Sequence, residues 1–443
     1  VAKGFSQVEG IDFNQIFSPV VRFETVRLML ALAALENWYI SGLDVHSTYL
    51  YGKLDEEIYM EQPEGFAEKG QEHKVLCLLC ALYGLKQAGL AWWKTLNDSM
   101  EELGFEHLKS DAGIFLYKKK GSNVVVAIIY VDDALFCGPN KAIVDEIKAM
   151  FMKKWECRDL GVPKEFLRMH IQRKGSKIYL DQCAYLETDL ERCGMQNVKS
   201  APTPLPQGYY ALPNESAADP NLRSRFQTII GSWLYIMLGT CPDIAYAVTV
   251  LSRHAANPSE DHLNKALHIC RYLIGTKNYS LVFNGGSGLG LMACTDSDWA
   301  SDPTSRRSQT GYFLKIVDGI FSWASHAQKT VALSSTEAEY MALSDCSRQV
   351  VWIRSLLSEL GYNLKPIPIC GDNQGSIFMA TNPITEKRSK HIDIRYHYVR
   401  EVISQKKVEI YFIDGAANPA DMFTKNLGHV KFKQFRAQLG LEF

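Results

Sequence analysis

Net charge is the first thing missing from this chain: 48 Lys and Arg meet 49 Asp and Glu, leaving a formal −1. Any phosphate-bearing partner must therefore be met by local basic groups rather than by the field of the whole molecule. Arg306-Arg307, Lys387-Arg388 with Lys390, and Lys406-Lys407 are the visible clusters, and each alone reads as solvated surface. Low-complexity tracts and internal repeats are absent, which excludes disordered, fibrous and solenoid chains. A paired cysteine framework is absent as well. The 11 Cys, an odd number scattered through 443 residues, point to a reducing compartment, with the cytoplasm as default. Cys77-Leu78-Leu79-Cys80 has the spacing of a redox or zinc pair, but it sits in the apolar run Val75 to Leu82 without a second ligand pair, so core packing is expected. No unbroken apolar stretch is long enough for a membrane. Thr228 to Leu251 comes nearest, but Gly231, Pro242 and Asp243 interrupt it, so two packed helices joined near Cys241-Pro242-Asp243 are expected, and no membrane partner. No signal peptide is visible, and the start at Val1 reads as a fragment.

What remains is globular: 47% hydrophobic and 22% charged residues, in a length that predicts two or three domains. The elements read as an α/β and α+β multidomain chain. Residues 1–198 form a first region, ending in a helical run from Ala184 to Cys193. Pro202, Pro204, Pro206, Pro213 and Pro220 then forbid a continuous helix and predict a linker over 199–225. Residues 226–284 are helical in pattern, with Asn257-Pro258-Ser259 opening a run through Ile274. After a glycine-rich break, residues 285–443 read as a strand from Leu289 to Cys294 and a hairpin of Gly311 to Val317 with Gly319 to Trp323. A long helix from Ser334 to Leu360 and strands Ile367 to Cys370 and Val408 to Ile413 complete the region.

Tyr130-Val131-Asp132-Asp133 sets two adjacent carboxylates at the end of the apolar run Val124 to Val131, which reads as a buried strand. Neighbouring strand residues point to opposite faces, so a turn must follow before both acids serve one site. Ala134 to Asn140 is expected to supply it. An oxygen site with open positions suits Mg²⁺, which keeps waters and takes further ligands from phosphates. A bare Asp-Asp pair in an arbitrary protein would read as a solvated turn. Here Asp44, in Leu43-Asp44-Val45, ends or interrupts a second strand after the helical run Thr25 to Leu35, so that three acids converge. Tyr49 stands five residues further on, and Leu82-Tyr83-Gly84-Leu85-Lys86-Gln87 forms a glycine turn entering a helix through Trp92 and Trp93.

This order of motifs resembles the reverse transcriptase and ribonuclease H region of a copia-type LTR retrotransposon polyprotein. The resemblance covers nearly the whole chain, and rests on Val1 to Gln7, Phe17-Ser18-Pro19-Val20-Val21-Arg22, Glu57 to Phe66, Tyr83 to Gln87 and the Tyr130 to Asp133 box. It implies a right-hand polymerase of fingers, palm and thumb, followed by a ribonuclease H-like mixed-sheet domain. Residues 1–198 would be fingers and palm, 226–284 thumb or connection, and 285–443 the nuclease. The implied activities are RNA-directed DNA polymerase and RNA–DNA hybrid ribonuclease, by two-metal phosphoryl transfer. Mg²⁺, or Mn²⁺ in its place, would be held by Asp44, Asp132 and Asp133 in one site, and by Asp296, Glu339, Asp372 and Asp421 in the other. Tyr49 would pack under the incoming sugar and exclude a 2′-hydroxyl. Gly84 would let backbone approach template or nucleotide, Lys86 would touch phosphate, and Tyr130 would contact substrate. Implied partners are RNA template, DNA primer, RNA–DNA hybrid, dNTPs and the remaining polyprotein parts, namely integrase, protease and capsid. The implied location is the cytoplasm, in a virus-like particle, or the nucleus.

Geometry chooses between two glutamates for the second set. Ser334-Ser335-Thr336-Glu337 fits a capping box, whereas Glu339 opens the series Leu343, Cys346, Val350, Ile353, Leu357 and Leu360, the buried stripe of a helix. A carboxylate there is costly unless it bonds a partner or metal. Asp296 is expected two residues past its strand, Asp372 likewise, and Asp421 follows Asn418-Pro419-Ala420. His391 and His397 suggest a metal by composition, but no Cys or Glu completes a ligand set, so substrate contact or structure is expected. The chain departs from the family at His46, Ser47, Thr48, Tyr51, Gly89-Leu90, Arg168 and Cys241, and the triphosphate-binding Arg of the fingers would lie before Val1. Those departures leave a rival reading open: a decayed, non-catalytic remnant that binds nucleic acid or serves as a scaffold.

Overall fold

The structure is a computed structural model describing residues 1–119, 123–196, 198–286, 288–382 and 393–443. Packing divides it into two units, Val1–Val26 with Trp38–Pro163, and Arg27–Asn37 with Lys164–Phe443. The division falls after 163 rather than at 198, because the strands in between carry their hydrogen bonds into the second unit.

In the first unit, α1 (Phe23–Leu35, most of which belongs to the second unit) begins where the buried Asp111 gathers its entry. Asp111 Oδ2 accepts from the Arg22 amide (3.2 Å) and the Thr25 hydroxyl (2.6 Å), and Oδ1 accepts from the Gly113 amide (3.0 Å). Next come β1 (Tyr39–Val45), the separate ribbon β2 (Tyr59–Glu61) and β3 (Val75–Cys77), and α2 (Ala88–Glu102). β4 (Phe105–His107), β5 (Ile114–Lys119), β6 (Asn123–Tyr130), β7 (Asp133–Gly138), α3 (Lys141–Lys154) and β8 (Cys157–Gly161) follow. The main sheet is antiparallel in the order β4-β5-β6-β7-β1-β8.

Alternation along each strand decides the faces of this sheet. Leu43 and Val45 of β1, Val125, Ala127 and Ile129 of β6 and Phe136 of β7 share one core with Trp92, Leu96 and Met100 of α2 and Val144, Ile147 and Phe151 of α3. Asp44 has the opposite parity and lies on the face away from both helices. Two expectations fail in this unit. Of Ala134 to Asn140, read as the turn after the acid pair, Ala134 to Gly138 lie in β7, and the chain reverses within Val131-Asp132, with Val131 at φ +56°. Ala134, Leu135, Phe136 and Cys137 are all buried, as an interior strand requires, and no glycine or asparagine marks the true turn. Val75 to Cys77 and Leu79 are not core either: Cys77 is exposed and Leu79 is 94% exposed, because β2 and β3 form a ribbon outside the main sheet, and the run reaches a core only at Ala81, against which Leu78 and Leu82 pack.

The second unit continues with β9 (Glu165–Phe166), β10 (Met169–Lys174), β11 (Lys177–Asp181), α4 (Cys183–Arg192), α5 (Pro220–Gly239), α6 (Ala245–Ser252), α7 (Glu260–Thr276) and β12 (Ser280–Phe283). Then come β13 (Met292–Asp298), β14 (Gln309–Ile316), β15 (Gly319–Ala327), α8 (Ser335–Glu359), β16 (Ile367–Gly371), α9 (Gln374–Thr381), α10 (Asp393–Ser404), β17 (Val408–Phe412), α11 (His429–Gln438) and β18 (Leu441–Glu442). One sheet runs β18-β12-β11-β10-β9, so strands from both ends of this unit share one ladder. The Pro-rich passage is no free tether. Ala201, Thr203 and Leu205 are buried, the Ala201 amide donates to the Arg271 carbonyl (3.0 Å), and Pro220 opens α5 behind the cap Asp219. Prolines forbid a helix there; they do not forbid packing.

The run to Leu251 resolves as expected into α5 and α6, and no helix among the described residues is long and apolar enough to cross a membrane. Buried Arg27 of α1 is held by the carbonyls of Phe321 (2.6 Å), Leu238 and Gly239 (2.9 Å), and stacks on Trp323. The other sheet has the order β15-β14-β13-β16-β17, parallel across β13–β16 and β16–β17 and antiparallel elsewhere. Helix α8 packs on β13 and β14 through its buried stripe, giving a mixed sheet covered by a long helix that follows its first three strands.

Candidate active sites

Strand β13 runs through Asp296 instead of stopping before it, so this acid sits inside the sheet, 1% exposed. The polar sequence Thr295-Asp296-Ser297-Asp298 concealed that end of the strand. Asp296 lies opposite Gly311 of β14, and a Cβ at Gly311 would meet Phe423 Cβ at 2.6 Å. The absence of that Cβ lets the short helical turn Pro419–Phe423 press against the sheet and bring Asp421 to Asp296. Asn418 fixes the turn: its Oδ1 accepts from the Ala420 amide (3.1 Å) and its Nδ2 donates to the Thr295 carbonyl (3.0 Å). Asp372 follows β16 as expected. One oxygen from each of Asp296, Asp372 and Asp421 lies within 4.8 Å of the others, the only such group of three or more His, Cys, Asp or Glu among the described residues. Glu339, on the first turns of α8, accepts from the Ser297 amide at 3.1 Å and so is tied to the same strand.

Burial, with the neighbouring Asp296 and Asp372 adding repulsion, pushes the Glu339 carboxyl up to about 9. Burial raises Asp296 to about 6, against the pull of Lys425. Asp372 and Asp298 are raised by burial as well. The centre thus holds more negative charge than its surroundings solvate, and cations answer part of it. Lys425 Nζ lies 2.7 Å from Asp421 Oδ1 and 3.3 Å from Asp296 Oδ2, and Lys431 Nζ lies 2.6 Å from Asp421 Oδ2. The Thr424 hydroxyl donates to Asp296. Glu337 is as buried as Glu339 but bonds elsewhere. Its amide donates to Ser334 Oγ (3.2 Å), as a capping box requires, while its carboxylate accepts from the Leu333 amide (2.8 Å), one residue before the expected Ser334.

In the first unit Asp44 and Asp133 are direct partners across β1 and β7, so their side chains share a face. Asp44 is also 3.1 Å from Arg158 of β8. Asp132 is exposed at the turn, and its carbonyl accepts from the Val45 amide (2.9 Å). Trp92 Nε1 donates to the Val131 carbonyl (2.8 Å). The three acids meet at one end of the sheet, although their oxygens do not gather as those of Asp296, Asp372 and Asp421 do. Tyr49 stands edge-on to Tyr83 at 4.7 Å, and burial, then Asp132, raises its hydroxyl pKa. Tyr130 pairs with Asp133 across the hairpin. At Gly84 (φ +99°) a Cβ would meet the Ala2 carbonyl oxygen at 2.0 Å, so the backbone it admits here is the chain's own. Lys86 Nζ donates to the Gln7 carbonyl (3.0 Å) above the Phe13 ring. His391 lies outside the described residues, and His397 is exposed.

Residues 1–207 match the family described as reverse transcriptase (RNA-dependent DNA polymerase). The Pol polyprotein of transposon TNT 1-94 from Nicotiana tabacum is 38% identical across 100% of this chain and 34% of its own length. That of transposon RE1 from Arabidopsis thaliana is 35% identical across 100% and 30%. A putative Ty5-1 transposon protein of Saccharomyces cerevisiae is 30% identical over 70% of this chain and 100% of its own. The chain belongs to the Pol polyproteins of copia-type retrotransposons. It spans about a third of the length of the full Pol polyproteins it matches. Among solved structures, the N-terminal RNase H domain of a Mycobacterium tuberculosis protein aligns with 34% of this chain and 98% of its own, at 14% identity and TM-score 0.24. The foamy viral protease-reverse transcriptase in complex with dsDNA aligns with 85% and 68%, at 13% identity and TM-score 0.20. In this Pol polyprotein chain, sequence reasoning missed Asn418, Thr424, Lys425, Lys431 and Arg158. The i,i+4 spacing of Asp421 and Lys425 and the Asn418-Pro419 start of a helical turn were local signals; Lys431 and Arg158 reach the acids through the fold.

Proposed function

We propose that this Pol polyprotein segment is an RNA-directed DNA polymerase whose second unit is an RNA–DNA hybrid ribonuclease, both working by two-metal phosphoryl transfer. The convergence of Asp296, Asp372 and Asp421, with Glu339 bonded to the same strand, carries the reading. These residues fit divalent cations, because Glu339 is buried beside the Ser297 amide, among acids that Lys425 neutralises only in part. Asp296, Glu339, Asp372 and Asp421 would hold Mg²⁺, or Mn²⁺, which supplies activation of water and neutralisation of charge at the phosphate. The chain's own work is positioning: β13 fixes Asp296, the Ser297 amide orients Glu339, and the Asn418-capped turn presents Asp421.

In the polymerase, Asp44, Asp132 and Asp133 would hold the same kind of ion. Tyr49, which stands edge-on to Tyr83 and feels Asp132, would exclude a 2′-hydroxyl from the incoming sugar. Substrates are then RNA template, DNA primer, dNTPs and RNA–DNA hybrid, with the remaining polyprotein parts, protease, integrase and capsid, as partners. The rival of a non-catalytic remnant draws on the departures at His46, Ser47 and Thr48 and on the Arg158 guanidinium against Asp44.

The deciding experiment gives the protein a labelled hybrid and Mg²⁺. RNA fragments should appear, EDTA should stop them, and Asp372→Asn should abolish cleavage while circular dichroism stays native. Cleavage surviving in Asp372→Asn would remove the nuclease assignment, and hybrid binding with neither cleavage nor primer extension would favour the remnant.

A further inference from the structure

Two ammonium groups stand in the nuclease centre with no part in the reaction proposed above. Both oxygens of Asp421 are engaged by them, Oδ1 by Lys425 (2.7 Å) and Oδ2 by Lys431 (2.6 Å). Lys425 is the more central, since it also reaches Asp296 Oδ2 at 3.3 Å and feels Asp298, whereas Lys431 touches one acid and lies over the Phe435 ring. Its position is built by the backbone. The Lys425 amide donates to the Asp421 carbonyl (3.0 Å), continuing the turn that Asn418 anchors to β13. The Lys425 side chain is 36% exposed, so it has a way out to solvent.

An ammonium and a divalent ion compete for the same lone pairs. Mg²⁺ takes oxygens at roughly 2.0–2.1 Å, and a second cation at contact distance on those oxygens repels it. We infer that Lys425 is a built-in, displaceable cation: it holds Asp296 and Asp421 together when no metal is bound, swings outward for a divalent ion to enter, and so sets how much Mg²⁺ the nuclease needs. The inference rests on the nuclease reading above. It explains how four acids stay gathered in a folded chain before any metal arrives, and it makes the price of loading the site the breaking of two ion pairs.

The test is Mn²⁺ binding to the full chain, followed by electron paramagnetic resonance, with thermal unfolding in EDTA and in Mg²⁺. Wild type, Lys425→Met, Lys425→Arg and Asp372→Asn are compared, and the binding lost in Asp372→Asn defines the nuclease component. Met keeps the stem and removes the charge, while Arg keeps the charge. The nuclease component should bind about tenfold tighter in Lys425→Met, roughly 1.4 kcal/mol, and stay weak in Lys425→Arg. Lys425→Met should also melt below wild type in EDTA and gain more from Mg²⁺. Unchanged or weaker Mn²⁺ affinity in Lys425→Met, beside a wild type with a clear nuclease component, overturns the inference and leaves the nuclease reading standing. If neither wild type nor Lys425→Met has a component that depends on Asp372, the nuclease reading fails and the inference with it. Should Lys425→Met not fold in either buffer, Lys425→Gln is judged by the same criterion.

Discussion

Glu337 and Glu339 are two residues apart and almost equally buried, yet they are bonded to different parts of the molecule. Glu339 accepts from Ser297 on the strand that carries Asp296, and Glu337 accepts from Leu333 just before its own helix. Their substitutions should therefore differ in kind. Glu339→Gln should end hybrid cleavage without loss of thermal stability. Glu337→Ala should cost about 1 kcal/mol, as a lost cap does, and leave most cleavage. A dead Glu337→Ala beside an active Glu339→Gln would reverse the assignment. The pH dependence gives a second readout without substrate. A carboxyl whose folded pKa lies above its unfolded value binds more protons when folded, so its contribution to stability falls as pH rises from the usual 4.5 to about 9. Gln at 339 does not titrate. In EDTA the melting temperature of Glu339→Gln relative to wild type should climb from about pH 5 to about pH 9, and Mg²⁺ should shrink the gap. A gap that stays flat would mean that neither burial nor the neighbouring Asp296 and Asp372 raises this carboxyl.

At the scale of elements, the hairpin of β6 and β7 carries a β-branched residue, Val131, at φ +56°, where such side chains are strained. Surrounding bonds must hold it. Trp92 of α2 donates to the Val131 carbonyl, and the Asp132 carbonyl accepts from Val45 at the end of β1. Trp92→Phe keeps a ring against Trp155 and Tyr51 but loses the donor. It should cost about 1 kcal/mol of stability and slow primer extension while hybrid cleavage is unchanged; equal losses in both assays would point to general damage instead. This hairpin also shows what was legible. The strand to Tyr130, the helix after Gly84 and the Glu339 stripe follow from an apolar run, a glycine turn and helical period, which are local. The Val131-Asp132 reversal was hidden because a tertiary indole bond, rather than a turn residue, stabilises it. The last residues of β13 were hidden because their polar side chains are answered by Thr424 and Gln328, and the Ser297 amide by Glu339, all from distant segments. The segment 199–225 was misread for a related reason: prolines report the helix they forbid and say nothing of the surface that buries Leu205.

For the molecule as a whole, a net charge of −1 leaves no general attraction for a polyanion, so any hybrid affinity must come from a few placed cations. Arg306 and Arg307 are the exposed basic pair in the loop that joins β13, which carries Asp296, to β14. That loop is shaped, because Asp302 Oδ1 accepts from the amides of Thr304 and Ser305, both at 2.9 Å. Two phosphate contacts from it would contribute up to about 2 to the slope of log affinity against log salt, at roughly 0.9 per neutralised phosphate on duplex DNA. Replacing both arginines by alanine should therefore weaken hybrid binding at low salt and flatten the slope by about that much, with thermal stability unchanged. The measurement uses a catalytically silent Asp372→Asn background, so that binding is read without cleavage. The same double substitution at Lys406 and Lys407, on the turn before edge strand β17, should leave the slope near wild type. If instead the arginine variant keeps the full slope and the lysine variant loses it, the hybrid is held along the β17 edge, and the loop after β13 serves only to fold the site.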